Sequence, residues 1–545
     1  MITVADPGAQ TAQAPPTGDQ GKFAPAKARG PVLVVSGLLA AWMLLAVVFD
    51  GRHIVPYPWT LLEQFVADRS LLLSNAAYTL DTAVKGFGLG VAAVIPLAVL
   101  CLLFPVSEPI IMRLAVVVHV IPFVAIAPII VVALPGDMAR IVIAALEVYF
   151  PLMIGLLLGL RTTDERALDV VCASGGRGWA QLRFVRLASS IPSLVSGLQI
   201  AVPAAVLGAL ISEFFGADRG LGAILVNAQD SLMMARTWCI AVFIGAIAAA
   251  GYGLIRGLSQ LIVPWAGQGT DVSAAVAGTE TAKVGRAGTL MAGAASLILI
   301  LGFWQGLRSV FGFDEYFVKT PGEVLNFLIV GNPVTGEGPG MFFGEFMVGL
   351  GQTIVDATAG FLVGMLAAIA ASVLFVAVPS LATVLMPMAI MLRSVPLVAL
   401  TPLLVLIFGR GLLGVTLLVT LVTFFPTLVT VALGLRSTPE AAIDVVRATG
   451  GTKLQAALHV RLMYAIPSIS SAARIAVPAA VSGATLAEWL ATGKGLGSVI
   501  TMASANAEYL ALWSSGALLV IFVLALYTLI GLIDKGVSRR LGIAL

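Results

Sequence analysis

Charge is scarce in this chain. Of its 545 residues only 11% are Asp, Glu, Lys or Arg, against about 25% in ordinary soluble domains. Hydrophobic residues make up 59%, and the mean hydropathy is +1.03. No globular core could bury that much apolar surface, whereas a bilayer can. The net charge of +3 is too small to suggest a nucleic-acid partner. Histidine is nearly absent: His53, His119 and His459 are too scattered for a metal cluster. The three cysteines, Cys101, Cys172 and Cys239, have no metal spacing. Cys101 and Cys239 lie in apolar runs and read as small core residues rather than a disulfide. No Gly-x-x-x-x-Gly-Lys-Ser/Thr occurs, and Gly493-Lys494-Gly495 is not a phosphate loop. The chain therefore has no phosphate-loop ATPase site, and neither a catalytic site nor a cofactor is expected in it.

What is present is a series of long apolar runs. A span needs about 20 residues at a rise of 1.5 Å each. Runs that qualify lie near 31–49, 81–104, 109–133, 139–160, 190–214 and 238–263, and again near 289–311, 352–378, 381–408, 412–435, 465–490 and 511–533. The expected fold is an all-α polytopic membrane protein of about twelve spans in two six-span halves. Residues 1–30 read as a disordered tail rich in Ala, Pro, Gly and Gln. The halves are 31–266 and 289–545, joined by a linker at 267–288. The run Pro31–Phe49 is long for a signal peptide and fits a retained span.

Lys and Arg placement gives an expected orientation. Lys22, Lys27 and Arg29 precede the first span, Lys283 and Arg286 lie in the linker, and Lys535, Arg539 and Arg540 near the end. All three regions belong in the cytoplasm. The loop after the seventh span, with Asp314, Glu315, Glu323, Glu337 and Glu345 against Lys319, belongs outside. The halves then share one orientation about an axis along the membrane normal.

The most informative feature is a polar repeat. Residues 159–222 return as 434–497 at a constant offset of 275, with roughly half unchanged. Asp169-Val170-Val171 matches Asp444-Val445-Val446, Arg186 matches Arg461, and Gly220-Leu221-Gly222 matches Gly495-Leu496-Gly497. The loops after spans four and ten are expected to be two short helices around a glycine elbow. In the second copy Thr438 caps, Pro439 suits the first turn, Glu440 favours the positive dipole end, and Gly450-Gly451 breaks the helix. The first copy repeats this with Thr163, Asp164, Glu165 and Gly175-Gly176. Lipid contact by an amphipathic loop is one reading. A protein partner is the other, since the same acid, glycine and arginine recur at equal spacing.

These residues carry a family resemblance. Asp444-Val445-Val446-Arg447-Ala448-Thr449-Gly450-Gly451 resembles the EAA loop of ABC importer permeases. Glu488-Trp489 with Gly495-Leu496-Gly497, and Glu213-Phe214 with Gly220-Leu221-Gly222, are similar to the nitrate/sulfonate/taurine branch. The likeness covers most of the chain, with two permease domains fused. It departs in having Asp for Glu, Val-Val for Ala-Ala, and Leu187-Ala188 and Leu462-Met463 for Leu-Pro. The resemblance implies a type I ABC importer fold in a bacterial inner membrane. It implies coupling elements at 164–187 and 439–462 that dock two cytoplasmic ATPase subunits holding ATP and Mg. Glu165, Asp169, Gly175, Gly176 and Arg186, with Glu440, Asp444, Gly450, Gly451 and Arg461, would carry that coupling. An extracytoplasmic binding protein would deliver a small solute: a nitrate-, sulfonate- or taurine-like anion, or a vitamin-precursor heterocycle. A secondary transporter driven by an ion gradient is the alternative, since two parallel six-span halves suit that class too.

Charges within spans bear on the solute, because each costs about 2.5–3.5 kcal/mol to insert. Glu147 lies opposite Val422, His119 opposite Arg393, and Gln199 opposite Arg474. Snorkelling or internal pairing is one reading, and an asymmetric solute path the other. Glu213, Gly220, Gly222, Glu488, Gly495 and Gly497, at the outer ends of the fifth and eleventh spans, form either an outer gate or the cap of a re-entrant turn.

Overall fold

The computed structural model describes residues 29–264, 286–382, 385–386 and 397–540, apart from the single positions 53, 105, 162, 164, 177 and 334. Most of the tail at 1–30 and of the linker at 267–288 falls outside these. The described residues are helical, with no strand among them. In the first half the helices are α1 (Arg29–Val48), α2 (Pro58–Ala67), α3 (Arg69–Leu103), α4 (Glu108–Val120), α5 (Phe123–Ala133), α6 (Asp137–Arg161), α7 (Glu165–Ala173), α8 (Leu187–Phe214), α9 (Leu221–Asp230) and α10 (Met234–Ile262). The second half follows with α11 (Arg286–Phe311), α12 (Pro321–Val330), α13 (Pro339–Ala377), α14 (Leu397–Phe408), α15 (Leu412–Arg436), α16 (Glu440–Ala448), α17 (Ile466–Ala487), α18 (Leu496–Ala505) and α19 (Tyr509–Arg540).

Nine helices among the described residues are long and apolar enough to cross a membrane, and α4 with α5 makes a tenth if that bent pair counts as one. Three features differ from the expected spans. First, α3 and α13 begin about a dozen residues earlier than the apolar runs at 81–104 and 352–378. At 35 residues, α3 is about 50 Å long and outruns the roughly 30 Å hydrocarbon core. Its added turns carry Ser74, Asn75 and Tyr78, which hydropathy alone discards. Second, the run 109–133 is bent by 96° between α4 and α5. Ile121 precedes Pro122 and takes an extended conformation, as steric conflict with a proline ring requires. Third, of the run 381–408 only its ends are described.

Within each half, one layer is built on small residues. A Cβ at Gly86 would lie 2.4 Å from Ala144 Cβ on α6, and one at Gly360 would lie 2.3 Å from Val419 Cβ on α15. Small-xxx-small faces let membrane helices approach this closely. Between halves, packing is exchanged. The α4–α5 pair of the first half packs on α11, α18 and α19 of the second, while α14 packs on α8, α9 and α10 of the first. Val120 and Ala125 accordingly sit in the second half's core, and Leu403 in the first's.

Candidate functional site

Two faces of the bundle carry polar structure. On the arginine-rich face, α6 and α15 each end in a short helix, a Gly-Gly bend and a wide helical turn. Gly175 has φ +80° and Gly450 φ +77°, a left-handed conformation that costs side-chain-bearing residues free energy. The next glycine matters for space. A Cβ on Gly176 would lie 2.6 Å from Val171 Cγ1, and one on Gly451 would lie 2.4 Å from Val446 Cγ1. Gly176 N donates to Val171 O at 2.9 Å and Gly451 N to Val446 O at 2.8 Å. The Val-Val pair and the Gly-Gly pair thus close one turn together. Residues Leu182–Arg186 and Ala457–Arg461 then form π-turns at the same offset, a local widening frequent at functional sites.

The expected Thr438 cap is not formed. Its hydroxyl donates backwards to Leu435 O at 3.1 Å, and Thr163 does the same to Leu160 O at 3.2 Å. Each threonine closes the end of the preceding span instead. The cap in this element is Thr452, which forms a capping box with Gln455; its Thr-x-x-Gln spacing is the sequence signature of that cap. Asp169 and Asp444 are both exposed, and Asp444 pairs with Arg447 at 3.0 Å. The side chain of Glu165 lies outside the described residues; Glu440 is exposed. Arg461 Nη1 donates to Leu435 O at 3.3 Å, tying the element to the end of α15. Burial, with Arg447 and Arg436 nearby, holds its guanidinium below the usual arginine value. Val170, Trp179 and Phe184 are exposed in the first copy, and Val445 and Leu454 in the second.

On the opposite, acidic face, each Gly-Leu-Gly opens a short helix over a buried glutamate. Gly222 N donates to Glu213 Oε2 at 2.7 Å, and Gly497 N to Glu488 Oε2 at 2.9 Å. Leu221 N donates to Thr79 Oγ1 and Leu496 N to Thr353 Oγ1, at 2.9 and 3.0 Å. Gly220 and Gly495 have φ +118° and +89°, and a Cβ on either would fall 2.2 Å from the carboxyl carbon of its glutamate. The carboxylates meet helix N-termini, where backbone N–H groups favour them. The same turns join the halves: Phe215 stacks on Trp489 with ring centroids 4.1 Å apart, and Phe214 meets its edge at 6.1 Å.

The intramembrane residues do not assemble into one site. His119 stacks flat on Phe150, with centroids 3.8 Å apart and planes 7° apart. Its side chain is exposed, whereas Phe150 is buried. Glu147 is half-buried one turn before Phe150 on α6, and Gln199 is half-buried on α8. Arg474 is occupied elsewhere: its guanidinium lies 4.6 Å from the centre of the Tyr527 ring on α19, within its own half. Arg393 lies outside the described residues.

Comparisons with known proteins fit this arrangement. The family described as binding-protein-dependent transport system inner membrane component matches twice, at residues 95–268 and 360–543. A probable ABC transporter permease protein of Haemophilus influenzae is 29% identical over 229 residues, covering 42% of this chain and 89% of its own. The riboflavin transport system permease protein of Chloroflexus aurantiacus is 26% identical, covering 45% of this chain and 88% of its own. The formylaminopyrimidine transport permease protein of Halalkalibacterium halodurans is 28% identical, covering 43% of this chain and 95% of its own. Each such relative is about the size of one half. No solved structure matches the chain.

Proposed function

This chain belongs to the family of binding-protein-dependent transport system inner membrane components, and we propose that it supplies the whole translocation path of an ATP-driven importer for a small organic solute. It is an integral inner-membrane ABC transporter permease, a transport subunit rather than an enzyme. In the proposed cycle two cytoplasmic ATPase subunits grip the elements around α7 and α16, and ATP binding draws those elements together. The halves then rock about their exchanged packing, and the contact of Phe214 and Phe215 with Trp489 opens on the acidic face. An external binding protein delivers the solute there.

The carrying observation is the helix, Gly-Gly bend and π-turn built twice at an offset of 275 on one face. A membrane protein has little need of two such matched polar projections unless a paired partner grips them. The solute is proposed to be planar. The flat stack of His119 on Phe150, with His119 exposed, offers an aromatic surface, and relatives named for riboflavin and formylaminopyrimidine transport agree with that choice. Relatives named for taurine and sulfonate transport represent the anionic alternative.

Gly450→Pro provides the test. Proline cannot adopt φ +77° and lacks the N–H that Gly450 donates to Arg447 O at 3.0 Å. The variant is expected to insert normally and to lose ATP-dependent uptake in vesicles reconstituted with the ATPase subunits. Uptake by the chain alone in ion-loaded vesicles, without ATPase, would favour the gradient-driven alternative.

A further inference from the structure

The two halves give the same buried glutamate different charged neighbours. In the first half Glu213 has Arg140 within electrostatic reach. That arginine is fixed by Asp137, which it meets at 2.7 Å, and by the Tyr78 ring at 5.4 Å; Tyr78 in turn donates to Asp137 at 2.9 Å. At the corresponding positions the second half has Gln352 for Tyr78, Leu412 for Asp137 and Val415 for Arg140. The cation is gone, and Val415 is buried in its place. An acid has been added as well: Thr82 of the first half becomes Asp356.

Asp356 is 1% exposed and Glu488 fully buried. They lie within electrostatic reach of one another across α13 and the end of α17. Thr353, one turn from Asp356, donates to Glu488 Oε2 at 2.9 Å, and Gln352 Nε2 donates to Asp356 Oδ2 at 3.1 Å. The other oxygen of each carboxylate, Asp356 Oδ1 and Glu488 Oε1, is buried without a hydrogen-bond donor. Glu213 Oε1 is also unbonded, but it has Arg140 nearby.

Among the described residues, the surrounding elements bring no balancing charge. Besides Asp356, α13 carries only Glu345, near its exposed end. The only ionisable group on α15 is Arg436 at its far end, and that on α17 before Glu488 is Arg474, which lies against Tyr527. α18 carries none, while Lys494 and Arg410 stand exposed in the adjoining turns. Among the described residues, neither carboxylate interacts with a Lys, Arg or His. Two like charges buried together in a membrane protein are strongly unfavourable unless a positive charge joins them.

We propose that Asp356 and Glu488 hold one monovalent cation, a proton or a sodium ion, inside the second half, where the first half uses the guanidinium of Arg140. Two carboxylates and the Thr353 hydroxyl form an all-oxygen donor set. The bound charge ties α13 to the turn whose Trp489 closes against Phe215, so occupancy stabilises the closed acidic face.

The purified full-length chain, without ATPase or solute, is sufficient for the test, so its result is independent of the transport reading. Thermal midpoints are compared in sodium chloride and choline chloride at about pH 8, and in choline chloride at about pH 6. A sodium site raises the midpoint by about 2–4 °C in sodium over choline. A proton site raises it on acidification by a similar amount, with no preference for sodium. Asp356→Thr, which installs the first half's residue, is expected to abolish whichever response the wild type shows. Asp356→Asn, closer in shape, is read the same way should the threonine variant fail to fold. A wild type indifferent to both sodium and acid, or a response that survives in both variants, overturns the proposal.

Discussion

Comparison of the two halves separates parts that recur from parts that do not. The Gly-Gly bends, the π-turns and the glutamate beneath each Gly-Leu-Gly recur with nearly the same geometry. The residues around them diverge. The first half closes its acidic-face end with a clasp in which Arg236 donates to both oxygens of Asp68 at 2.7 and 2.8 Å. The second half has Ala511 in place of Arg236 and a longer loop between α12 and α13, and a groove of about 1040 Å³ opens there, lined by Ala511, Glu337 and Lys494 among others. Recurrence marks what must work in concert on both sides. Divergence marks where a single chain can make its path and its outer face asymmetric, which two identical subunits could not do.

Gly497→Ala against Gly222→Ala should reveal the largest difference between halves. A Cβ at Gly497 would lie 1.9 Å from Thr485 O, whereas at Gly222 the nearest atoms are 2.9 Å away. The second-half variant is expected to lose more than about 3 kcal/mol, and the first-half variant about 1–2 kcal/mol. Thermal midpoints and the yield of monodisperse protein would show it, and equal losses would deny that the second turn is the tighter one.

Asp68→Asn comes next. Arg236's hydrogen bonds hold the Asp68 carboxyl below the usual aspartate value despite partial burial. A depressed folded value contributes stability above the unfolded value and loses it as pH falls through the folded one. The substitution should therefore cost about 1–2 kcal/mol at neutral pH and progressively less below about pH 4. A penalty that stays constant through that acid range would contradict the clasp.

Arg447→Ala should do least. Its pairing with Asp444 is solvent-exposed on both sides, and Cys172 stands at its place in the first copy. Stability should change by less than about 0.5 kcal/mol. A larger loss would mean that the two coupling elements are less alike in their support than their backbones suggest.

Much of this architecture was legible in the residues. The repeat at offset 275, the apolar runs and the glycine elbows depend on local pattern, and local pattern survives in sequence. The bend at Ile121 is latent in Pro122, whose ring disfavours helical backbone at the residue before it. The extra turns of α3 and α13 were hidden because polar residues such as Asn75 lower hydropathy without breaking a helix. Thr438 and Thr163 can hydrogen-bond forwards or backwards, and composition does not choose. Arg474 and Tyr527 are more than fifty residues apart, and the exchange of α4–α5 and α14 between halves rests on contacts longer still. Such pairings are set by three-dimensional packing, which periodicity does not encode.

The central claim is that the elements around α7 and α16 face the cytoplasm, where a nucleotide-driven partner can grip them. Cys172 lies on the first of these and is exposed, while Cys101 and Cys239 are buried, so the native chain carries its own probe. Labelling with a membrane-impermeant maleimide is expected to modify Cys172 in inside-out vesicles and to leave it untouched in intact spheroplasts. Modification in spheroplasts, with protection in inside-out vesicles, would put both elements on the wrong side of the membrane and contradict the proposed function.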